Sequence, residues 1–531
     1  MDAIRLIMSG AVVGQELAAE FGPLPPAFLP VGARRLYQLQ IANLKPAGPV
    51  HLVLPESFQP SEYDQARLHA LSAEIIPIPE GLRLGEAVIY AVNALGRTDA
   101  PVHILYGDVL FSRMPTGQTD VVVTDDHASE YARTEIEAER GRITALETVA
   151  AGEDGEGRPI AAGYFAFASS LDLVRALTRA RGDFVGGVNQ YLAAHAMRLA
   201  PALGWLDFGH AETYYRSRLS IGLARGANGA GTGGLTVRKS SEDKSKIHAE
   251  AAWLQAAPPE LKPYCARVVD AGEDGAGAFY TTEREYLPPL SELFVYGAVG
   301  RKAWLRILSS CEDFLKLCAT YPDEIEDGGD TLAALVEIKT LERLETFARD
   351  SGFPIDRDLA YDGRPCPSLT AMAEALNARI KSQRPRRRTL MHGDLCFSNI
   401  LFSARMGRIR VRDPRGSWNG RPSPYGDLRY DLAKLALSVL GRYDQIIAGR
   451  YCIAASGADH TLGFETLACQ AWLAEALRDL SVDGVGGADG VVRAVTVSLC
   501  LSLTPLHAER PDRQRAFVAN ALRLYLELDR A

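Results

Sequence analysis

The sequence predicts an α/β region followed by an α+β region, on three observations. The first is the length, since 531 residues exceed what a single hydrophobic core normally holds and suggest about three structural units. The second is an alternation of short apolar strands with helical stretches up to about residue 215, which is typical of a mainly parallel sheet covered by helices. The third is the helical pattern from about 300 to 380 and again from 427 to 531.

Composition and charge narrow the functional classes. Hydrophobic residues make up 47% and charged residues 23% of the chain, as in ordinary globular proteins. The net charge of −8 argues against a general nucleic-acid binder, although it permits a local basic groove. No apolar run is long enough for a membrane span, and the N-terminal residues suggest a strand and not a signal peptide. Eight scattered cysteines without a C-x-x-C pair indicate buried thiols in a reducing, cytoplasmic compartment.

Six short apolar segments are candidate strands in the first region. They are IRLIM, VHLVLP, EIIPIP, PVHILYGDVLF, DVVVTD and GYFAFAS, and a helix is expected at GEAVIYAVNAL.

A glycine-rich run separates the two regions. ARGANGAGTGG (224–234) predicts either a linker or a hairpin that covers phosphates. The following segment, LTVRKSSEDKSKIHAEAAWLQ, predicts a strand, an N-cap at Ser240 or Ser241, and a helix. Glu242 and Asp243 would then lie at the positive end of the helix dipole.

The second region contains each part that phosphoryl transfer to an alcohol requires. A carboxylate must orient the attacking hydroxyl, oxygen ligands must hold Mg²⁺ on the phosphates, and a Lys held by a Glu must neutralise the nucleotide. The candidates occur in a sensible order along the chain: Lys239 in LTVRK, Glu250 on the next helix, Asp394 in HGDLCFSN, Asn399 five residues later, and Asp413 at the end of the strand RIRVRD.

The segments HGDLCFSNIL and VRDPRG resemble the catalytic core of the aminoglycoside phosphotransferase and choline kinase family, relatives of the protein kinases. The resemblance covers about 225–531 and implies a bilobal kinase-like fold. It implies that Asp394 is the catalytic base, that Asn399 and Asp413 are Mg²⁺ ligands, and that Lys239 and Glu250 form the ion pair on the ATP side. His392 would brace the loop.

Further segments resemble other parts of the same family. EYLPPLSEL (285–293) resembles the hinge where adenine docks through backbone groups, which implies nucleotide binding at Glu285 and Leu287. In YGDLRYDLAKL (425–435), Asp427 and Asp431 are expected to be structural caps and braces.

The sequence departs from the family next to the metal site. The family often carries a further acidic residue just after its metal Asp, whereas this chain has Pro414 and Arg415. Arg415 is therefore a candidate contact for a phosphate or an acidic substrate, and an aminoglycoside is disfavoured. The basic run KSQRPRRR (381–388) predicts either a solvated loop or a docking patch for a phosphorylated or acidic sugar.

The first region resembles the sugar-phosphate nucleotidyltransferases. The similar segments are 22–44, 84–95, 104–111 and 204–217. The resemblance implies a Rossmann-like nucleotidyltransferase fold in which Asp108, in YGDVLF, and Asp207, in GWLDFGH, bind a metal and CTP or another NTP is the nucleotide. Two carboxylates at strand ends can hold Mg²⁺ on a nucleoside triphosphate, although either carboxylate could instead be a strand-end cap. The family's first loop carries an Arg, and a Lys follows it. Here Gln15-Glu16 and Pro26 occupy those places, which weakens triphosphate binding, so the domain is either degenerate or active.

These observations predict three parts: a nucleotidyltransferase-like domain at 1–220, a kinase N-lobe at 221–295 and a mostly helical C-lobe at 296–531. The leading hypothesis is an ATP- and Mg²⁺-dependent kinase acting on a hydroxyl of a sugar or polyol for bacterial surface polysaccharide or capsule precursors. One alternative is a bifunctional kinase and nucleotidyltransferase that makes an NDP-activated sugar, polyol or choline-like headgroup. Another is a non-catalytic scaffold or regulator of polysaccharide assembly, and antibiotic modification is a weaker option.

The expected partners are small molecules. They are a nucleotide and a sugar, polyol or sugar phosphate, without nucleic acid and without a membrane span. A homo-oligomer is compatible with the sequence, which does not specify the oligomeric state.

Overall fold

Two compact units make up the chain in the computed structural model. The first comprises Met1–Ile221 with Tyr296–Ala298, and the second comprises Gly222–Val295 with Val299–Ala531. The three-part division drawn from the sequence stays a prediction. The structure describes residues 3–44, 48–97, 99–126, 131–153, 157–223, 234–275, 277–324, 331–383, 386–418 and 421–528. Most of the glycine-rich run and residues 384–385 of the basic run therefore lie outside the described residues.

A nine-stranded sheet forms the centre of the first unit, in the order β3-β2-β1-β4-β9-β6-β10-β8-β7. The small pair β5 and β11 lies apart from it. The strands are β1 Ile4–Met8, β2 Val50–Pro55, β3 Ala73–Ile78, β4 Val102–Tyr106, β5 Val109–Leu110, β6 Val121–Asp125, β7 Arg133–Glu139, β8 Arg142–Val149, β9 Ile160–Phe167, β10 Arg198–Pro201 and β11 Leu206–Asp207. The helices are α1 Gln15–Phe21, α2 Leu36–Leu44, α3 Glu62–Ala70, α4 Leu84–Ala94, α5 Ser170–Arg179, α6 Phe184–Leu192 and α7 Ala211–Leu223.

The sheet is mixed, whereas the sequence predicted a mainly parallel one. Strands β1 to β4 pair in parallel, but β9 runs antiparallel to both β4 and β6. The chain reaches β9 through the antiparallel hairpin of β7 and β8. A parallel pair would need a long crossover connection, usually a helix, and the described residues between β6 and β9 include no helix. The apolar–charged alternation of β7 and β8 was missed in the sequence.

The core of the first unit follows from the composition of its central strands. IRLIM in β1 is buried at every position, as expected for a strand covered on both faces. Helices α4, α5 and α6 contribute Val88, Leu173 and Val188 to the same apolar cluster as Ile104 and Phe165 of the sheet. This packing fixes the ends of β4 and β5, between which Asp108 lies.

A buried histidine in β4 predicts an acid-labile first unit. His103 is 3% exposed, its Nδ1 lies 2.7 Å from the Tyr164 hydroxyl, and burial lowers its pKa to about 4. The pKa of His103 in the folded state lies below its unfolded value of about 6.5. The contribution of neutral His103 to stability is therefore complete above a pH of about 6.5 and is lost as the pH falls towards 4. We expect protonation of His103 to lower the free energy of unfolding by about 2–3 kcal/mol between pH 7 and pH 4.

Denaturant unfolding at several pH values measures this loss, and the difference between wild type and His103→Gln isolates it from other titrating groups. The exposed His69→Gln is the matched control. Identical pH profiles for wild type and His103→Gln would contradict the prediction.

The second unit begins with the antiparallel sheet β12-β14-β13 and continues into helices with small sheets between them. Its strands are β12 Thr236–Ser241, β13 Val268–Asp274, β14 Gly277–Glu283, β15 Leu359–Tyr361, β16 Arg364–Cys366, β17 Thr389–Leu390, β18 Ile400–Ser403, β19 Arg408–Val411, β20 Ser417–Trp418, β21 Arg421–Pro422, β22 Tyr425–Gly426, β23 Tyr451–Ser456, β24 Asp459–Phe464, β25 Ser481–Val482 and β26 Val485–Gly486. Its helices are α8 Lys244–Ala256, α9 Leu290–Tyr296, α10 Arg301–Ala319, α11 Thr331–Ser351, α12 Leu369–Lys381, α13 Arg429–Val439, α14 Tyr443–Ile447, α15 Gln470–Asp479, α16 Gly490–Ser502 and α17 Pro511–Glu527.

Two local predictions for this unit were wrong. The stretches expected to be helical also contain the sheet β16-β15-β24-β23, because Gly457 at φ 64° closes a hairpin between β23 and β24. The N-cap of α8 is Asp243, whose carboxylate accepts the Lys246 N–H at 3.2 Å. Ser241 instead ends β12, and its hydroxyl accepts the Asp243 N–H.

Within the described ranges, every helix is too short or too polar to span a lipid bilayer.

Candidate active site

The segment His392–Asp394 follows β17 and is held by a buried carboxylate from α13. Asp431, predicted as a structural brace, accepts the N–H groups of His392 and Gly393, each at 2.7 Å. The His392 ring accepts the Asp394 N–H through Nδ1 at 3.2 Å and donates through Nε2 to the Arg412 carbonyl at 3.1 Å. Burial lowers the His392 pKa to about 4, so this ring is neutral at physiological pH and braces the loop.

Asp394 presents a charged carboxylate that is still accessible. Its Oδ2 accepts Asn399 Nδ2 at 2.9 Å, and its Oδ1 lies 2.8 Å from Lys434 Nζ. Burial acts to raise the Asp394 pKa, but the Lys434 ammonium outweighs it and lowers the pKa to about 2. The side chain remains 39% exposed, so a substrate hydroxyl can reach it. Such a carboxylate can orient a hydroxyl and accept its proton as the new O–P bond forms.

A second group of charged and polar side chains connects the sheet β12-β14-β13 with the residue that follows β19. Lys239 on β12 lies 2.6 Å from Glu250 Oε2 on α8 and 2.9 Å from Asp413 Oδ1. The Tyr280 hydroxyl on β14 donates to the same two oxygens, at 3.0 and 3.2 Å. Burial acts to lower the Lys239 pKa, yet Asp413 and Glu250 raise it overall, so the amine is a cation. The cluster can place one positive charge against nucleotide phosphates.

Asp413 has a left-handed backbone, with φ 57°, directly after β19. This conformation is uncommon outside glycine, although Asp tolerates it better than most residues. Arg412, its neighbour, donates its N–H to the Asn399 carbonyl at 3.0 Å, so the two predicted metal-binding segments are adjacent.

Asn399 and Asp413 each keep an oxygen that the contacts described above do not use, and oxygen is the ligand that a hard cation prefers. Among the described residues, no three His, Cys, Asp or Glu side chains are grouped closely enough to hold a metal ion. Asn399 uses Nδ2 towards Asp394, which leaves its amide oxygen, and Asp413 uses Oδ1 towards Lys239, which leaves Oδ2. Mg²⁺ normally binds one or two protein oxygens together with substrate phosphates. Asn399 and Asp413 therefore fit Mg²⁺ on a nucleotide.

A cavity of about 310 Å³ lies beside Lys239, Tyr280 and Asp413. Its lining includes Lys239, Tyr280, Glu285, Leu401 and Asp413. The Glu285 side chain forms an ion pair with Arg410, so what this residue could offer adenine is its backbone. Leu287, the other predicted hinge residue, is not part of this lining.

Arg415 contacts the segment His392–Asp394 and belongs to a group of basic side chains. Its Nη2 donates to the Tyr430 hydroxyl at 2.9 Å, and its N–H donates to the His392 carbonyl at 2.8 Å. Lys339 and Arg343 of α11 are close enough to interact electrostatically with Arg415. We call Lys339, Arg343, Arg415 and Lys434 the basic cluster.

Several of these residues were not predicted from the sequence. Lys434 follows Asp431 by one helical turn, and that spacing could have placed it on the same face of α13. Lys339, Arg343 and Tyr280 carry no sequence signal, because only folding brings them to the loop.

In the first unit, Asp108 and Asp207 border one space. Asp207 pairs across β11 and β5 with Val109, and a Cβ at Gly209 would lie 3.0 Å from Asp108 Oδ2 and 3.2 Å from Asp207 Oδ1. Burial, with Asp207 nearby, raises the Asp108 pKa to about 6. A cavity of about 300 Å³ adjoins both carboxylates, with Arg133 and His210 also in its wall.

Residues 228–411 match the model of a family described as the phosphotransferase enzyme family, APH. The second unit therefore carries a phosphotransferase-family domain, which supports a kinase-type phosphotransferase. No curated protein matches the chain.

Solved structures similar to this chain are of two kinds. HddC from Yersinia pseudotuberculosis is 15% identical, with 42% of this chain and 100% of that chain covered and a TM-score of 0.33. A provisionally named glucose-1-phosphate thymidylyltransferase from Bacillus anthracis is 13% identical, with coverage of 44% and 97% and a TM-score of 0.35. The aminoglycoside phosphotransferase APH(3'')-Id from Streptomyces rimosus, in complex with ADP and streptomycin, is 15% identical, with coverage of 54% and 97% and a TM-score of 0.32.

Proposed function

We propose that the second unit is an ATP- and Mg²⁺-dependent kinase that phosphorylates a hydroxyl of a sugar or polyol. The observation that carries the proposal is the arrangement around Asp394, with Asn399 at 2.9 Å and Asp413 on the adjacent segment. The match of residues 228–411 to a phosphotransferase family supports the same reaction class. The product would serve as a precursor of a bacterial surface polysaccharide or capsule, as the sequence hypothesis holds.

Each residue of the site has a separate task in this reaction. Asp394 orients the acceptor hydroxyl and takes its proton, while Lys434 keeps that carboxylate ionised. Lys239, held by Glu250, neutralises the nucleotide phosphates. Asn399 and Asp413 would hold Mg²⁺, which when bound shields the charge of the β- and γ-phosphates. The hydroxyl oxygen bonds to the γ-phosphorus, the bond to the bridging oxygen breaks, and ADP leaves.

ADP formation with a panel of sugars, polyols and amino alcohols tests this function. Transfer that depends on Asp394 is the expected result. Equal turnover of every accepted compound by wild type and Asp394→Ala would refute the assignment.

A second candidate function is bifunctionality, which the position of Asp108 and Asp207 in the wall of one cavity favours. Two neighbouring carboxylates can hold a metal while a sugar phosphate attacks the α-phosphorus of an NTP. The absence of the expected Arg and Lys from the first loop weighs against it. Pyrophosphate release from CTP, UTP, GTP or dTTP with a sugar phosphate, lost in Asp108→Asn, would support it. No release with any pairing would exclude it.

A further inference from the structure

The basic cluster is richer in positive charge than catalysis at Asp394 requires. Lys434 is already matched by the Asp394 carboxylate at 2.8 Å. Arg343 donates Nη1 to the Ser502 carbonyl at 3.0 Å, and among the described residues no carboxylate forms an ion pair with it. Arg415 and Lys339 add two further cations.

Two donors in this cluster lack a partner. Arg415 Nη1 is buried, and no described residue accepts a hydrogen bond from it. Lys339 is partly buried and makes no ion pair or hydrogen bond with any residue in the described ranges. Burial, with Arg415, Arg343 and Lys434, lowers the Lys339 pKa to about 7, and Asp394 opposes this more weakly than any of the three cations. A buried unpaired donor is costly, so Arg415 Nη1, together with the partly exposed Lys339 amine near the accessible Asp394, suits an anionic group on the acceptor.

We propose that the acceptor already carries a phosphate monoester, bound by Arg415 and Lys339 while its free hydroxyl lies at Asp394. This inference rests on the proposed kinase function. The planar guanidinium suits a phosphate because it can donate two parallel N–H bonds, and Lys339 adds a point charge. A phosphate dianion offers this cluster more negative charge than a monocarboxylate does, and binding it would stabilise the protonated form of Lys339.

The reaction then converts a sugar or polyol phosphate into a bisphosphate. The acceptor oxygen bonds to the γ-phosphorus of ATP, its proton moves to Asp394, and ADP leaves with the electrons of the broken P–O bond. The phosphate already on the acceptor is unchanged and serves only as the group by which Arg415 and Lys339 bind the acceptor, which we call the handle. A kinase or isomerase that delivers a sugar phosphate must therefore act before this step.

Matched acceptor pairs test the handle through turnover. Each pair compares a polyol or sugar with its phosphate ester: glycerol with glycerol 3-phosphate, ribose with ribose 5-phosphate, and glucose with glucose 6-phosphate. Glucuronate is the carboxylate acceptor for comparison, and choline is the cationic one.

We expect Asp394-dependent transfer to the phosphorylated compound of at least one pair. Lys339→Met should raise its KM roughly 10–100-fold and leave the KM for ATP unchanged. Lys339→Arg should restore most of the binding, and the exposed Lys316→Met is the control.

Preference for a neutral, carboxylate or cationic acceptor over every phosphate ester, with Asp394-dependent turnover, would overturn this inference and leave the kinase intact. Absence of Asp394-dependent transfer to any compound would instead count against the kinase itself.

A binding measurement tests the handle without turnover. Inorganic phosphate, titrated against the full chain, should raise the unfolding temperature of wild type and of Lys316→Met but not of Lys339→Met. The ligand-free Lys339→Met protein should be at least as stable as wild type, because the change removes an unpaired charge from a positive environment. Equal stabilisation of all three proteins, or of none, would overturn the proposal.

Discussion

Replacing Asp394 with Asn is expected to lower kcat for phosphoryl transfer roughly 10²–10⁴-fold, the usual contribution of a positioned general base. The amide keeps the shape of the carboxylate and can still accept the Asn399 hydrogen bond, but it cannot take the proton of the hydroxyl. The KM for ATP should change little, because Lys239 and Asp413 are untouched. Steady-state kinetics at saturating ATP and acceptor measures the effect.

Stability must be separated from chemistry in this variant. The Asp394→Asn change leaves Lys434 without its counter-ion inside the basic cluster, so the unfolding temperature should fall, and adding Lys434→Met should restore it without restoring kcat. Asp459→Asn is a matched control, since this carboxylate accepts the Gly363 N–H in a turn. Recovery of activity in the double variant would contradict the role of Asp394 as the base.

Replacing Asp413 with Asn is expected to lower kcat/KM roughly 10²–10³-fold, through loss of several kcal/mol of metal-assisted charge stabilisation. The protein holds this carboxylate ionised: burial acts to raise its pKa, but Lys239 outweighs that and lowers it. The Mg²⁺ concentration for half-maximal activity should rise, because an amide binds a hard cation more weakly than a carboxylate does. Activity against Mg²⁺ concentration measures both effects.

Tyr280→Phe is the matched control for Asp413→Asn. It removes the hydroxyl that contacts Glu250 and Asp413 but leaves the candidate metal oxygens in place. We expect its Mg²⁺ dependence to stay near wild type, with at most a modest change in the KM for ATP. An unchanged Mg²⁺ requirement in Asp413→Asn would show that Asp413 is not a metal ligand.

Much of the candidate catalytic loop could be predicted from the sequence. His392, Asp394 and Asn399 are close along the chain, so their spacing alone could indicate a phosphotransferase loop, and the family match covers the same residues. The assigned roles of the individual residues remain predictions. The wrong N-cap and the missed hairpin at Gly457 share one cause: local propensity cannot say which of several competing donors or strands finds its partner.

The sheet of the first unit shows where sequence reasoning stopped. Its strands were identified because burial on both faces favours continuous apolar residues, as in Val121–Val123 of β6. The direction of β9 could not be identified, since it depends on which edge the β7–β8 hairpin meets.

The sequence by itself determined the order of the parts: an apolar strand-rich first region, then a Lys and Glu, then a loop with two acids and an amide. These features are local, because each depends on residues a few positions apart. Only the tertiary structure brought Lys339 and Arg343 of α11 and Lys434 of α13 within electrostatic range of Arg415 or Asp394. Electrostatic interaction depends on distance in space and not along the chain, so the basic cluster could be recognised only in the folded protein.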